Sequence, residues 1–112
     1  MGNFNLWELS HIQVSTYYDR PVLYTAKNKG IYYLCLLWNE DIIEGKREDT
    51  FLVVPMSQLR LFDVHDNNIS LRDAILKPEK GILYLVTGDK VIECTPSELN
   101  DNDLPDADQF FI

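Results

Sequence analysis

Residues 69–87, ISLRDAILKPEKGILYLVT, decide the fold class, because a capped helix and the strand after it are both legible in them. Ser70 is placed to cap the first helical turn, and Asp73, three residues on, to return a bond to the Ser70 backbone. The helix runs over Leu71 to Leu76, Pro78 stops it, and a strand follows Gly81 from Ile82 to Thr87. A helix joined to an apolar strand by so short a link predicts a mixed architecture in which the two share one core.

The pattern extends in both directions. Gly88-Asp89 is a two-residue connection of the hairpin kind, so Lys90 to Cys94 reads as the last strand. Upstream, Ser57 is a second helix cap. Met56 before it is placed to staple onto Leu61, and Leu59, Phe62 and Val64 supply an apolar face before His65-Asp66-Asn67-Asn68 breaks the helix. Leu9 to Tyr18 and Val22 to Ala26 read as a hairpin around Asp19-Arg20-Pro21, and the turn Asn28-Lys29-Gly30 feeds Ile31 to Trp38. That run is apolar on both faces, the mark of a central strand. Asn39 to Asp49 is charged and reads as an exposed connection, and Thr50 to Val54 is a strand that Pro55 ends. Thr95-Pro96-Ser97-Glu98 starts one further helical turn. The fold class is therefore α+β: an antiparallel sheet of about six strands, with two short helices between strands four and five packing on one face. Residues 1–112 form a single domain, and 95–112 is an acidic segment whose Leu104 and Phe110-Phe111-Ile112 pack back on the body.

Composition narrows the function classes. Of 18 acidic residues, six follow Lys90 with no Lys or Arg among them, so −6 of the net charge of −8 belongs to residues 91–112. The remainder is near neutral, which argues against direct nucleic-acid binding, since phosphate affinity comes from clustered Lys and Arg. The longest apolar run, Ile31 to Trp38, is too short to span a bilayer. Cys35 and Cys94 lie far apart in apolar strands without a zinc spacing, and read as buried free thiols in a reducing cytoplasm.

Leu6-Trp7-Glu8, Tyr17-Tyr18-Asp19-x-Pro21, Val54-Pro55-x-Ser57, Ile69-x-Leu71-Arg72-Asp73-Ala74 and Leu104-Pro105 together span nearly the whole chain. In these motifs the sequence resembles a bacterial family known only as a domain of unknown function. The resemblance implies a segment often found as the N-terminal part of longer proteins, so this chain is a single-domain member or an excised domain. It implies no catalytic residue or cofactor. Gly88-Asp89 departs from the longer link found at that hairpin in relatives.

No nucleophile elbow, phosphate loop or dinucleotide fingerprint appears, and His11 and His65 lack a partner at ligand spacing. The residues therefore point to a non-enzymatic protein-interaction or regulatory module without catalytic residues, metal or cofactor. Its expected contact surface is Tyr17, Tyr18 and Tyr33 on the sheet, Arg72, and Asp101, Asp103 and Asp106 of the acidic segment, taking a protein partner or a second copy. Two other readings stay open. One is a site for a small anionic molecule lined by Arg72 and tyrosines; the other is an acidic mimic of nucleic acid that blocks a defence enzyme. Arg72 also suits a purely structural tie between its helix and a neighbouring loop.

Overall fold

In the computed structural model, residues 9–17, 20–88 and 90–112 are described. Six strands follow one another across a single sheet in chain order, each antiparallel to the next: β1 (Ser10–Tyr17), β2 (Pro21–Asn28), β3 (Ile31–Ile43), β4 (Lys46–Met56), β5 (Leu83–Thr87) and β6 (Lys90–Cys94). Helices α1 (Gln58–His65) and α2 (Leu71–Leu76) fall between β4 and β5 in the chain, and two short 3-10 turns, Pro96–Glu98 and Asp101–Asp103, follow β6. The expected sheet and helix order are thus present. The Asp19 turn and Asp89 lie outside the described residues.

Alternation along β3 and β4 feeds two cores. Leu34, Leu52, Val54 and Met56 join Leu23 and Leu83 in one, while Cys35 and Val53 join Tyr24, Ala26, Tyr33, Phe51 and Val86 in the other. The first core also holds Leu61 and Val64 of α1, Leu71, Ala74 and Ile75 of α2, and Phe111. Helix α2 is amphipathic in the ordinary way, with buried positions at i, i+3 and i+4. Ser70 caps it by accepting from the Asp73 N–H, and the Leu71 N–H at its start donates to the Gln109 carbonyl at 2.9 Å. Pro78 follows its last turn, as expected.

Helix α1 buries the expected Val64 and the Leu61 that Met56 is placed to staple, but departs from expectation at Leu59 and Phe62. Leu61 and Val64 enter the core, whereas Leu59 is 77% exposed and Phe62 51%. Both pairs are three residues apart, so either makes a stripe on a helix. Spacing alone does not choose between them; the buried Met56 at the helix entrance, in the same core as Leu61, decides it. At the other end the Asn68 N–H bonds the Asp63 carbonyl and the Asn67 N–H the Val64 carbonyl. That is a Schellman stop with Asn67 at φ +59°, the left-handed position that asparagine tolerates.

A second correction concerns Asn39 to Asp49. Instead of an open connection, these residues extend β3 and β4 into a ribbon turned by Glu44 and Gly45, both at positive φ. Beyond Leu36 on β3 and Thr50 on β4 neither neighbouring strand pairs with it, so the ribbon stands free of the sheet on both edges. Pro55 does not end β4, which continues to Met56. The β5 ladder stops at Val53–Tyr84, so past that point β4 is an edge on that side, where a residue without an N–H is tolerated.

The C-terminal segment returns to the body, but not with all three of its last side chains. Phe111 is 1% exposed in the first core, with Leu99 and Leu104 packed against that core, while Phe110 and Ile112 stay exposed. Phe111→Ala is therefore expected to cost roughly 3 to 5 kcal/mol in urea unfolding. Phe110→Ala, in the same measurement, is expected to stay within about 0.5 kcal/mol of the parent.

Candidate functional site

The sequence-expected contact residues are not brought together. Tyr17 is 67% exposed at the end of β1, but Tyr33 is 6% exposed and belongs to the second core, so it presents no contact surface. Its neighbour Tyr32 takes the other face and is half-buried, because adjacent strand residues point opposite ways and the first core holds the Tyr32 side. Tyr18 lies outside the described residues. Arg72 takes the structural role: its guanidinium donates to the Pro105 carbonyl at 3.2 Å and pairs with Asp101, tying α2 to the acidic segment. Asp103 and Asp106 are exposed, and the Asp106 N–H is accepted by the Gln109 side-chain oxygen at 2.8 Å.

A different surface is assembled. An open groove of about 550 Å³ lies between β2, β3 and the C-terminal segment. Its lining includes apolar Val22, Leu23, Leu36, Trp38, Leu71, Leu104 and Pro105, with Thr16, Arg20, Glu40, Asp103 and Gln109 as the polar members. Of the expected residues it holds Asp103, and Thr16 adjoins Tyr17 in the chain. It is lined by neither Arg72 nor a tyrosine.

Arg20 organises this side of the molecule. In the β3–β4 ribbon Glu40 sits directly opposite Asp49, and two facing carboxylates repel. The Arg20 guanidinium bridges them, with Nη2 at 2.6 Å from Glu40 Oε2 and Nε at 2.9 Å from Asp49 Oδ2. The hydrogen bond to Asp49 does most to raise the Arg20 pKa above its ordinary value, burial opposes it, and the bond to Glu40 adds to the rise. Arg20 reads as turn chemistry in Asp19-Arg20-Pro21. Its role becomes legible only if Glu44-Gly45 is taken as a two-residue hairpin, because that register sets Glu40 against Asp49 and calls for a cation. A second hollow, of about 440 Å³, flanks Arg20 on the side of His11, Tyr24 and Phe51.

The remaining reactive groups are occupied. Burial pushes the Cys35 thiol up to about 12, against a lowering by its bond with Tyr24, and raises Cys94 as well, so neither is poised as a thiolate. Both are free and buried, as expected. His11 lies against Tyr24 with ring centres 4.3 Å apart, and His65 meets the buried Thr25 hydroxyl through Nε2 at 2.8 Å while its ring lies 5.3 Å from that of Phe111. Among the described residues no three His, Cys, Asp or Glu side chains group in a way that would hold a metal ion.

A family model matches residues 3–111 of this chain, nearly its whole length. The chain belongs to DUF6575, a family of unknown function. No curated protein and no solved structure matches it. For this DUF6575 chain, chemistry must therefore be argued from the groove and its surroundings.

Two titrations have a definite sign. Burial lowers the His65 pKa below its ordinary 6.5, with Asp66 opposing, so the fold favours the neutral ring. The stability it contributes is full above pH 6.5 and is lost as pH falls from there toward the folded value. At Glu79 burial works upward, but the backbone and side-chain bonds from Ser57, helped by Arg60 and Lys80, outweigh it and hold the carboxyl below its ordinary 4.5. That contribution is present above pH 4.5 and is lost as pH falls through the folded value. Urea midpoints measured against pH are expected to show a shallower decline below pH 6.5 for His65→Asn, and a shallower acid limb for Glu79→Gln. Separately, Arg20→Gln is expected to speed amide hydrogen exchange in Asn39–Asp49 at least tenfold while leaving Leu52–Val54 unchanged, because the facing carboxylates lose their bridge and only Arg47, 3.7 Å from Asp49, remains beside them.

Proposed function

We propose that this domain is a non-enzymatic protein-interaction module whose contact surface is the groove between β2, β3 and the C-terminal segment. The observation that carries the reading is the groove's make-up: an apolar floor containing Trp38, with Arg20, Glu40, Asp103 and Gln109 among the residues around it. Aromatic and arginine anchors inside a polar ring are the usual form of a protein contact site. In keeping with this we read α1 and α2 as covering one face of the sheet. Their buried residues share a core with Leu34, Leu52 and Leu83, which leaves the groove at the uncovered end of that face.

The small-anion reading is less well supported. Arg72 is engaged by Asp101 and Pro105, and the groove's Arg20 is already shared between two carboxylates. The nucleic-acid-mimic reading needs carboxylates spread over a rigid face, and one of them, Asp101, is held by Arg72. We also propose a cytoplasmic setting without direct nucleic-acid contact, on the buried free thiols and the near-neutral body. No helix among the described residues is long and apolar enough to cross a membrane.

The test is affinity capture from the source cell with the parent chain and two variants at exposed groove positions, Thr16→Arg and Asp103→Arg. A protein partner is expected with the parent and at least tenfold less of it with either variant. Recovery of no reproducible partner, or of partners indifferent to both changes, overturns the reading.

A further inference from the structure

Arg20 stands between two concavities, the groove assigned above and the second hollow of about 440 Å³. The floor of the hollow is aromatic and belongs to the second core. Tyr24 and Phe51 are buried there with ring centres 5.9 Å apart, and the exposed His11 ring lies against Tyr24 at 4.3 Å. Pro21 and the Gly88 backbone complete the apolar lining. A hollow of this volume, floored by rings that a core holds in place, has the dimensions of a small-molecule site.

Its polar side is unevenly engaged. Arg47, Asp49 and Phe51 share one face of β4 at alternate positions, and Glu48 between them alternates to the other. Both oxygens of Asp49 already accept from Arg20, at 2.9 and 3.2 Å, and Arg20 also holds Glu40. Arg47 is therefore left 3.7 Å from the Asp49 carboxylate, too far for a hydrogen bond. Neither its guanidinium nor the His11 ring makes a hydrogen bond among the described residues. A guanidinium presents a planar fork of N–H donors that matches a carboxylate, and a neutral imidazole has one N–H to add. An ammonium group in the same place would meet both Arg20 and Arg47, with Asp49 already engaged.

We propose that the hollow bounded by His11, Tyr24, Arg47 and Phe51 is a binding site for a small aromatic carboxylic acid. Arg47 and His11 hold the carboxylate, and the ring of the ligand lies on the Tyr24–Phe51 floor. The site uses neither Arg72 nor the paired Arg20 as its anion-binding group, and it does not rest on the groove.

The test is a titration of the full chain with benzoate, followed through backbone amide chemical shifts. Benzoate is expected to give saturable shifts at His11, Tyr24, Arg47, Phe51 and Gly88, with a dissociation constant on the order of 1 mM. Arg47→Gln is expected to raise that constant roughly tenfold, His11→Ala to raise it by a smaller factor, and the neutral probe benzamide to bind the parent roughly tenfold more weakly than benzoate. Acetate, a carboxylate without a ring, is expected to give no saturable shift. Arg47 and His11 are both exposed, and the parent pattern of shifts outside the hollow shows that each variant is folded. If His11→Ala loses that pattern, Arg47→Gln alone decides. Absence of saturable shifts, shifts centred on residues outside the hollow, or a constant indifferent to Arg47→Gln overturns the site. Equal affinity for benzamide overturns the carboxylate as the group recognised, and saturable shifts with acetate overturn the aromatic ring.

Discussion

Strands β3 and β4 bury both of their faces, and the rest of the molecule follows from that requirement. Side chains alternate across the pleat, so Leu34 and Leu52 go to one side and Cys35 and Val53 to the other, and each side needs its own cover. The first core also holds the buried residues of α1 and α2 and Phe111. The second core is made of the sheet's own Tyr24, Ala26, Tyr33, Phe51 and Val86, joined by Leu9. The returning C-terminal segment joins the first core alone, through Phe111. Here the segment completes a core that two helices of eight and six residues do not fill.

The same hairpin that builds the core also creates the electrostatic problem that shapes its far end. Carrying β3 and β4 past the sheet sets Glu40 against Asp49, and Arg20 at the entrance to β2 relieves the repulsion. One side chain thereby ties the free ribbon to the sheet and stands beside the groove. Arg72 does a comparable job for α2 by holding Asp101 and Pro105. Arg72, the cation the sequence offers for a ligand, is engaged like Arg20 in keeping elements together. The groove itself combines apolar residues such as Trp38 and Leu104 with Arg20, Glu40 and Asp103, whose charges largely offset one another.

Legibility divided along physical lines. Caps, turns and breakers act within a few residues, so Ser57, Ser70, Gly30, Pro78 and Gly88 all marked real boundaries. Choices between equivalent faces were hidden. Leu59 with Phe62 and Leu61 with Val64 have the same spacing; Tyr32 and Tyr33 are alike in type; Phe110, Phe111 and Ile112 are all apolar. In each case one member is buried and another left out, according to which neighbour it meets. The charged run at 39–49 misled for a related reason, because polarity marks exposure and exposed residues still pair when a Gly-containing turn allows it. The groove went unread because its members come from positions 16 to 109 and share no local pattern.

Local chemistry in the sequence alone thus determined the α+β class, the order of strands and helices, the two capped helices and the separation of a near-neutral body from an acidic segment. Tertiary structure alone decided which side chain of each apolar pair is buried, that Arg20 bridges facing carboxylates, that Arg72 is a tie rather than a ligand site, and that Phe111 is the terminal residue that enters the core. The reason is range. A cap or turn is settled by atoms a few bonds apart, whereas burial and charge pairing depend on what a distant part of the chain brings to the same place.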